Sequence, residues 1–153
     1  MNHKQVTRRH LFKTAGVVAL SGAALQLGMG ASALAQKDPT TADLEIRIGE
    51  FYFQVAGKDK NAPIELEAGK ELLIKFVNEG SILHEAHFGR TADLATRRYQ
   101  EELMPGFLGL HLAPQQQASV HLLVPSDRKG EWEIGCLITG HYEAGQKTKL
   151  VIK

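Results

Sequence analysis

Short segments in which apolar and polar side chains alternate, set apart by turn residues, restrict the fold of this chain more than any other feature. Leu44, Ile46 and Ile48 alternate with Glu45 and Arg47, and Ile64 and Leu66 with Glu65 and Glu67. Ala118, Val120, Leu122 and Val124 alternate with Ser119, His121 and Leu123. Trp132, Ile134 and Cys136 share a face opposite Glu131 and Glu133, and Thr148, Leu150 and Ile152 are interleaved with lysines. A period of two is that of a half-buried strand. The run Phe51 to Val55 is aromatic and branched, with a bend or bulge expected at Gly49. Glu71 to Asn78, apolar on both faces except at Lys75, is the strongest strand candidate, and Asn78-Glu79-Gly80-Ser81 turns the chain after it. Seven or eight such strands predict an all-β, Greek-key β-sandwich. One insert departs from the pattern. Thr91 to Met104, capped by Thr91-Ala92-Asp93 and stopped by Pro105-Gly106, predicts a short surface helix, and Phe107 to Leu112 an apolar loop.

The first 35 residues are of another kind. A basic start (Lys4, Arg8, Arg9, Lys13) leads into an apolar Ala/Gly/Leu/Val stretch and ends in Ala33-Leu34-Ala35 before Gln36, the pattern of a cleaved export signal. Thr7-Arg8-Arg9-His10-Leu11-Phe12-Lys13 resembles the twin-arginine signal, with Leu11 and Phe12 in the reverse of the commonest order, which implies export to the periplasm in the folded state. The apolar stretch is nearly long enough to span a membrane, but its small residues favour cleavage near Ala35, so no stable membrane insertion is expected afterwards. The expected organisation is then a signal at 1–35, a flexible lead-in at 36–42 and one domain at 43–153. Without the signal, 14 Lys and Arg stand against 17 Asp and Glu, a formal charge of −3 with no basic stripe, so nucleic acid is not an expected partner.

The chain has one cysteine, which excludes an internal disulfide and leaves four roles: inert core thiol, intermolecular link, nucleophile or metal ligand. In an oxidising compartment an unprotected thiol is a liability, which favours the ligand. Cys136 is followed by His141 five residues on and Gln146 five after that, within a stretch punctuated by Gly135, Gly140 and Gly145. A second imidazole comes from Ile82-Leu83-His84-Glu85-Ala86-His87-Phe88, read as a strand. His84 shares a face with Ala86 and Phe88 and points inward, whereas His87 shares the other face with Glu85. Two imidazoles and a thiolate with a weak axial ligand form an electron-transfer copper site. The expected set is Cys136, His84 and His141, with Gln146 axial; His87 is the main competitor for His84, and Gln146 has the alternative of capping a turn.

The Cys-x4-His-x4-Gln run, with Asn78 to Glu85 before it and a terminal strand after it, resembles the cupredoxins, the small blue-copper proteins, over about 100 residues. The resemblance implies a type 1 copper ion as cofactor. Gln146 stands where methionine is usual; the stellacyanin-like plant members have glutamine there, and an amide oxygen, harder than a thioether, favours Cu(II). In that family an asparagine near the first histidine ties ligand loops together, a role Asn78 matches loosely, six residues before His84. The resemblance also implies electron exit at the His141 edge, with Leu137, Ile138 and Tyr142 as a docking patch.

The expected function is one-electron transfer between redox partner proteins by a monomeric copper protein, not an enzyme. The alternative is a periplasmic copper carrier used in homeostasis, which the single methionine after the signal, Met104, makes weaker. A Cys136–His141 nucleophile pair lacks an orienting third residue, and zinc catalysis needs an open position that Gln146 would fill.

Overall fold

The computed structural model describes residues 40–153. The expected signal, 1–35, and the first part of the lead-in lie outside the described residues. The elements are β1 (Leu44–Gly49), β2 (Tyr52–Val55), β3 (Ile64–Leu66), β4 (Glu71–Asn78), β5 (His84–Gly89), α1 (Thr91–Thr96), β6 (Gly109–Leu112), β7 (Gln117–Leu123), β8 (Gly130–Gly135) and β9 (Lys147–Ile152). They form two sheets, one ordered β2-β1-β4-β7 and the other β3-β9-β8-β5-β6. β1 pairs parallel to β4 and β3 parallel to β9, and the chain passes between the sheets from β2 to β3, β3 to β4, β4 to β5, β6 to β7 and β7 to β8.

The alternation read from the sequence is what closes the sandwich. Ile46, Ile48, Ile74 and Phe76 of the first sheet meet Phe88, Trp132, Ile134 and Leu150 of the second, all buried in one core. Phe76 and Phe88 join the layers edge to face, their centroids 6.1 Å apart; losing a buried ring of this kind costs about 3–5 kcal/mol. On β4 the second apolar face is half-buried rather than core, and Lys75 there pairs with Glu45 at 3.1 Å.

Two expectations need correction. The helix covers Thr91–Thr96 only, begins from an extended Arg90 with no side-chain cap, and closes on Arg97 in the left-handed conformation (φ 55°). It is not superficial: Leu94 is fully buried. The remainder, to Met104, is loop: Arg97 in the left-handed conformation ends the helix, and Leu103 and Met104 pack into the main core. The second correction concerns Phe107 to Leu112, where Gly109–Leu112 is strand β6, paired with β5 in the register Glu85↔His111 and His87↔Gly109. Gly109 disguised it, yet glycine is required there, since a Cβ would come within 2.4 Å of the Ala86 carbonyl.

Candidate metal centre

His84 opens β5 and faces inward with Ala86 and Phe88, while His87 takes the other face, as the alternation predicts. Cys136 directly follows β8. Its N–H donates to the Gln146 carbonyl at 3.0 Å and so closes residues 136–146 into a loop. Inside it, His141 N–H donates to Ile138 O and Gln146 N–H to His141 O, each at 3.0 Å. Gly140 (φ 86°) and Gly145 (φ 99°) supply the left-handed turns. Gly135 serves differently: it lies in β8, where a Cβ would sit 2.8 Å from the Tyr142 ring.

This folding brings together all four residues expected from the sequence. Ligand atoms of His84, Cys136 and His141 lie within 4.8 Å of one another. Cys136 Sγ is 3.5 Å from His141 Nδ1. The buried Gln146 amide spans both imidazoles: Oε1 is 2.9 Å from His141 Nδ1, and Nε2 is 2.9 Å from His84 Nδ1 and 2.7 Å from the Gly49 carbonyl. Both imidazoles therefore turn Nδ1 to the Gln146 amide. His84 Nε2, packed against Gly80, is a buried nitrogen without a partner.

The donor chemistry fits a soft or borderline cation. Burial, then the neighbouring His141, pushes the His84 pKa down, which keeps its ring neutral. Burial pushes the Cys136 thiol up, against the Glu85 N–H that donates to Sγ at 3.4 Å. A neutral imidazole is ready to ligate, and a buried thiol ionises only when a cation arrives to compensate it. Among the four side chains His141 alone is not fully buried, and Phe51, in the left-handed region at φ 66°, stands edge to face against it at 5.7 Å.

Supporting groups surround the centre, of which sequence reasoning singled out Asn78 alone. Asn78 Nδ2 donates to the carbonyls of Ile82, Leu112 and Ala113 at 2.8–3.0 Å, and Oδ1 accepts from Gly80 N–H. It therefore ties the turn before His84 to the end of β6, not to the cysteine loop. Glu50 accepts from Ser81 N–H at 2.6 Å and Ser81 Oγ at 2.8 Å, which holds its carboxyl down at about 2. Tyr52 donates to Glu79, and its phenol is pushed up to about 12. Together they latch the β1–β2 turn onto the turn that presents His84. The Gly49 carbonyl and Glu85 N–H are backbone groups and carry no residue-type signal.

The other histidines of the described residues stand apart from this group. His121 lies beside Glu71 at 3.3 Å. His87 and His111 lie on the outer face of the second sheet with Glu85. Burial pushes the His87 pKa down, with Glu85 acting in the opposite sense.

No protein-family model matches the chain. Among curated proteins, the copper-resistant cuproprotein CopI of Rubrivivax gelatinosus is 31% identical over 97 residues, which are 60% of this chain and 58% of that protein. The chain thus spans less than two thirds of that relative's length. Among solved structures, auracyanin from Roseiflexus castenholzii superposes with a TM-score of 0.55 at 16% identity, over 71% of this chain and 94% of that one. Auracyanin B gives 0.53 at 20% identity, over 74% and 91%. Rusticyanin from Thiobacillus ferrooxidans gives 0.51 at 17% identity, over 71% and 76%. At these identities the likeness is one of architecture, and it agrees with the two sheets and single short helix described above: the fold is the cupredoxin β-sandwich.

Proposed function

We propose that this chain is an exported copper protein that holds one copper ion through Cys136, His84 and His141, with Gln146 as the fourth ligand, and carries single electrons between redox partner proteins. The observation that carries the reading is the convergence of one thiol and two imidazoles within 4.8 Å, bridged by a buried amide, inside a cupredoxin sandwich. Bound copper supplies the Cu(I)/Cu(II) couple. The chain's contribution is stiffness: His84 stands on β5 and Cys136 at the end of β8, and the cross-links of Asn78, Glu50 and Gln146 limit how far the donors move when the charge changes. Export rests on the Arg8-Arg9 leader, and a monomer remains the expected state.

The half-buried His141 is the natural edge for electron exit. Around this end of the sandwich the exposed apolar side chains are Phe51 (48%), Ile82 (43%) and Leu83 (44%). These three fit a docking patch better than the expected set of Leu137, Ile138 and Tyr142, because Tyr142 is buried and donates to Glu133.

The similarity to a copper-resistance protein favours a second reading, a copper carrier in homeostasis. Against it, Met104 is buried in the core and offers no exchangeable thioether. The two readings separate on rates. The electron-carrier reading predicts fast electron self-exchange between oxidised and reduced protein, with copper leaving far more slowly. Copper that transfers to a chelator faster than electrons exchange would overturn it in favour of the carrier.

A further inference from the structure

On the opposite side of β5 from the buried centre, three side chains of the β5–β6 ladder project from one face. Glu85 and His87 are two residues apart on β5, and His111 is the direct cross-strand partner of Glu85. The partner of His87 is Gly109, which has no side chain to crowd the face. Glu85 Oε2 is 3.5 Å from His87 Nε2, and Glu85 Oε1 is 3.5 Å from His111 Nε2. Two donors each about 2.1 Å from a common ion in tetrahedral array are about 3.4 Å apart, so both separations suit a shared cation. One nitrogen from each imidazole and one carboxylate oxygen fall within 4.8 Å of one another.

The cluster has features of a prepared site. Tyr99 Oη is 2.8 Å from His87 Nδ1, which fixes the ring so that Nε2 is the atom turned to the carboxylate; such a partner orients a ligating histidine. Glu85 and His87 are held at 14% and 17% side-chain exposure, whereas His111 is 59% exposed and leaves one side open to water and to an incoming ion. Two imidazoles and a carboxylate with open positions suit a borderline divalent cation, and among these Cu(II) binds most tightly.

We infer that Glu85, His87 and His111 form a second, surface metal site that takes Cu(II). This goes beyond the proposed function and does not depend on it. The two sites stand back to back, since Glu85 supplies its carboxylate to one face and its backbone N–H to Cys136 Sγ on the other.

The test is a Cu(II) titration of the chain followed by electron paramagnetic resonance and visible absorption, in wild type, His111→Ala, His87→Ala and Cys136→Ser. His111 is exposed, so its removal leaves the fold intact. The expected result is a second Cu(II) with an axial, nitrogen-coupled signal and no charge-transfer band. His111→Ala weakens that ion at least tenfold and keeps the band of the buried centre, and Cys136→Ser does the reverse. An axial signal of equal strength and affinity in wild type, His111→Ala and His87→Ala would mean that other groups hold the ion, and would overturn the site. A wild type that lacks the band but loses its axial signal in His111→Ala would overturn the buried-centre reading and leave this one standing.

Discussion

Gln146 is the residue at which the two imidazoles meet, and both ends of its amide are in use. Its oxygen faces His141, while its nitrogen serves His84 and the Gly49 carbonyl of the opposite sheet. A methionine in its place offers a softer donor and no N–H. Gln146→Met is therefore expected to raise the reduction potential of the copper-loaded protein, seen by voltammetry, because a thioether stabilises Cu(I) relative to an amide oxygen. It should also destabilise the metal-free fold by about 1–3 kcal/mol in urea denaturation, since Gly49 O loses its buried partner. A potential unchanged or lowered would contradict the ligand role. The choice between His84 and His87 was legible at this scale, because alternation along a strand sorts side chains by face. The bridge from Gln146 to Gly49 was not, because it joins residues 97 apart through a main-chain atom.

Among the elements, strands whose inward positions were uniformly apolar could be read directly, and β4 matches its expected range from Glu71 to Asn78. The helix and β6 could not. The stretch after Thr96 has helix-compatible composition, but the burial of Leu103 and Met104 outweighs local preference. β6 is four residues long and begins on glycine, so its identity comes from its partner β5 rather than from its own residues. Asn78 shows how one such junction is held, with two amide hydrogens serving three carbonyls between the His84 turn and β6. Asn78→Ala is expected to cost about 2–4 kcal/mol, because it removes the donor to three carbonyls, of which that of Leu112 is buried. Equilibrium urea unfolding of the metal-free chain checks this; a loss under about 0.5 kcal/mol, the range of a surface change, would mean the tie is incidental.

In the molecule as a whole, neither sheet carries a complete centre. The second sheet provides His84, the loop between β8 and β9 provides Cys136, His141 and Gln146, the first sheet anchors the amide through Gly49, and the β1–β2 turn anchors the His84 turn through Glu50. The sandwich was foreseeable from alternation because burying one face of each strand leaves few other arrangements. The latches were not, because Glu50, Glu79 and Ser81 are exposed polar residues whose sequence looks like ordinary turn, and Tyr52 reads only as a strand residue. The account rests on a thiolate held against copper inside that frame, and one measurement addresses it: the visible spectrum after one equivalent of Cu(II) is added to the wild-type chain and to Cys136→Ala. An intense thiolate-to-copper charge-transfer band in the wild type, absent from Cys136→Ala, is the predicted result. A wild type that binds copper without colour, or a band that survives loss of Cys136, would contradict it.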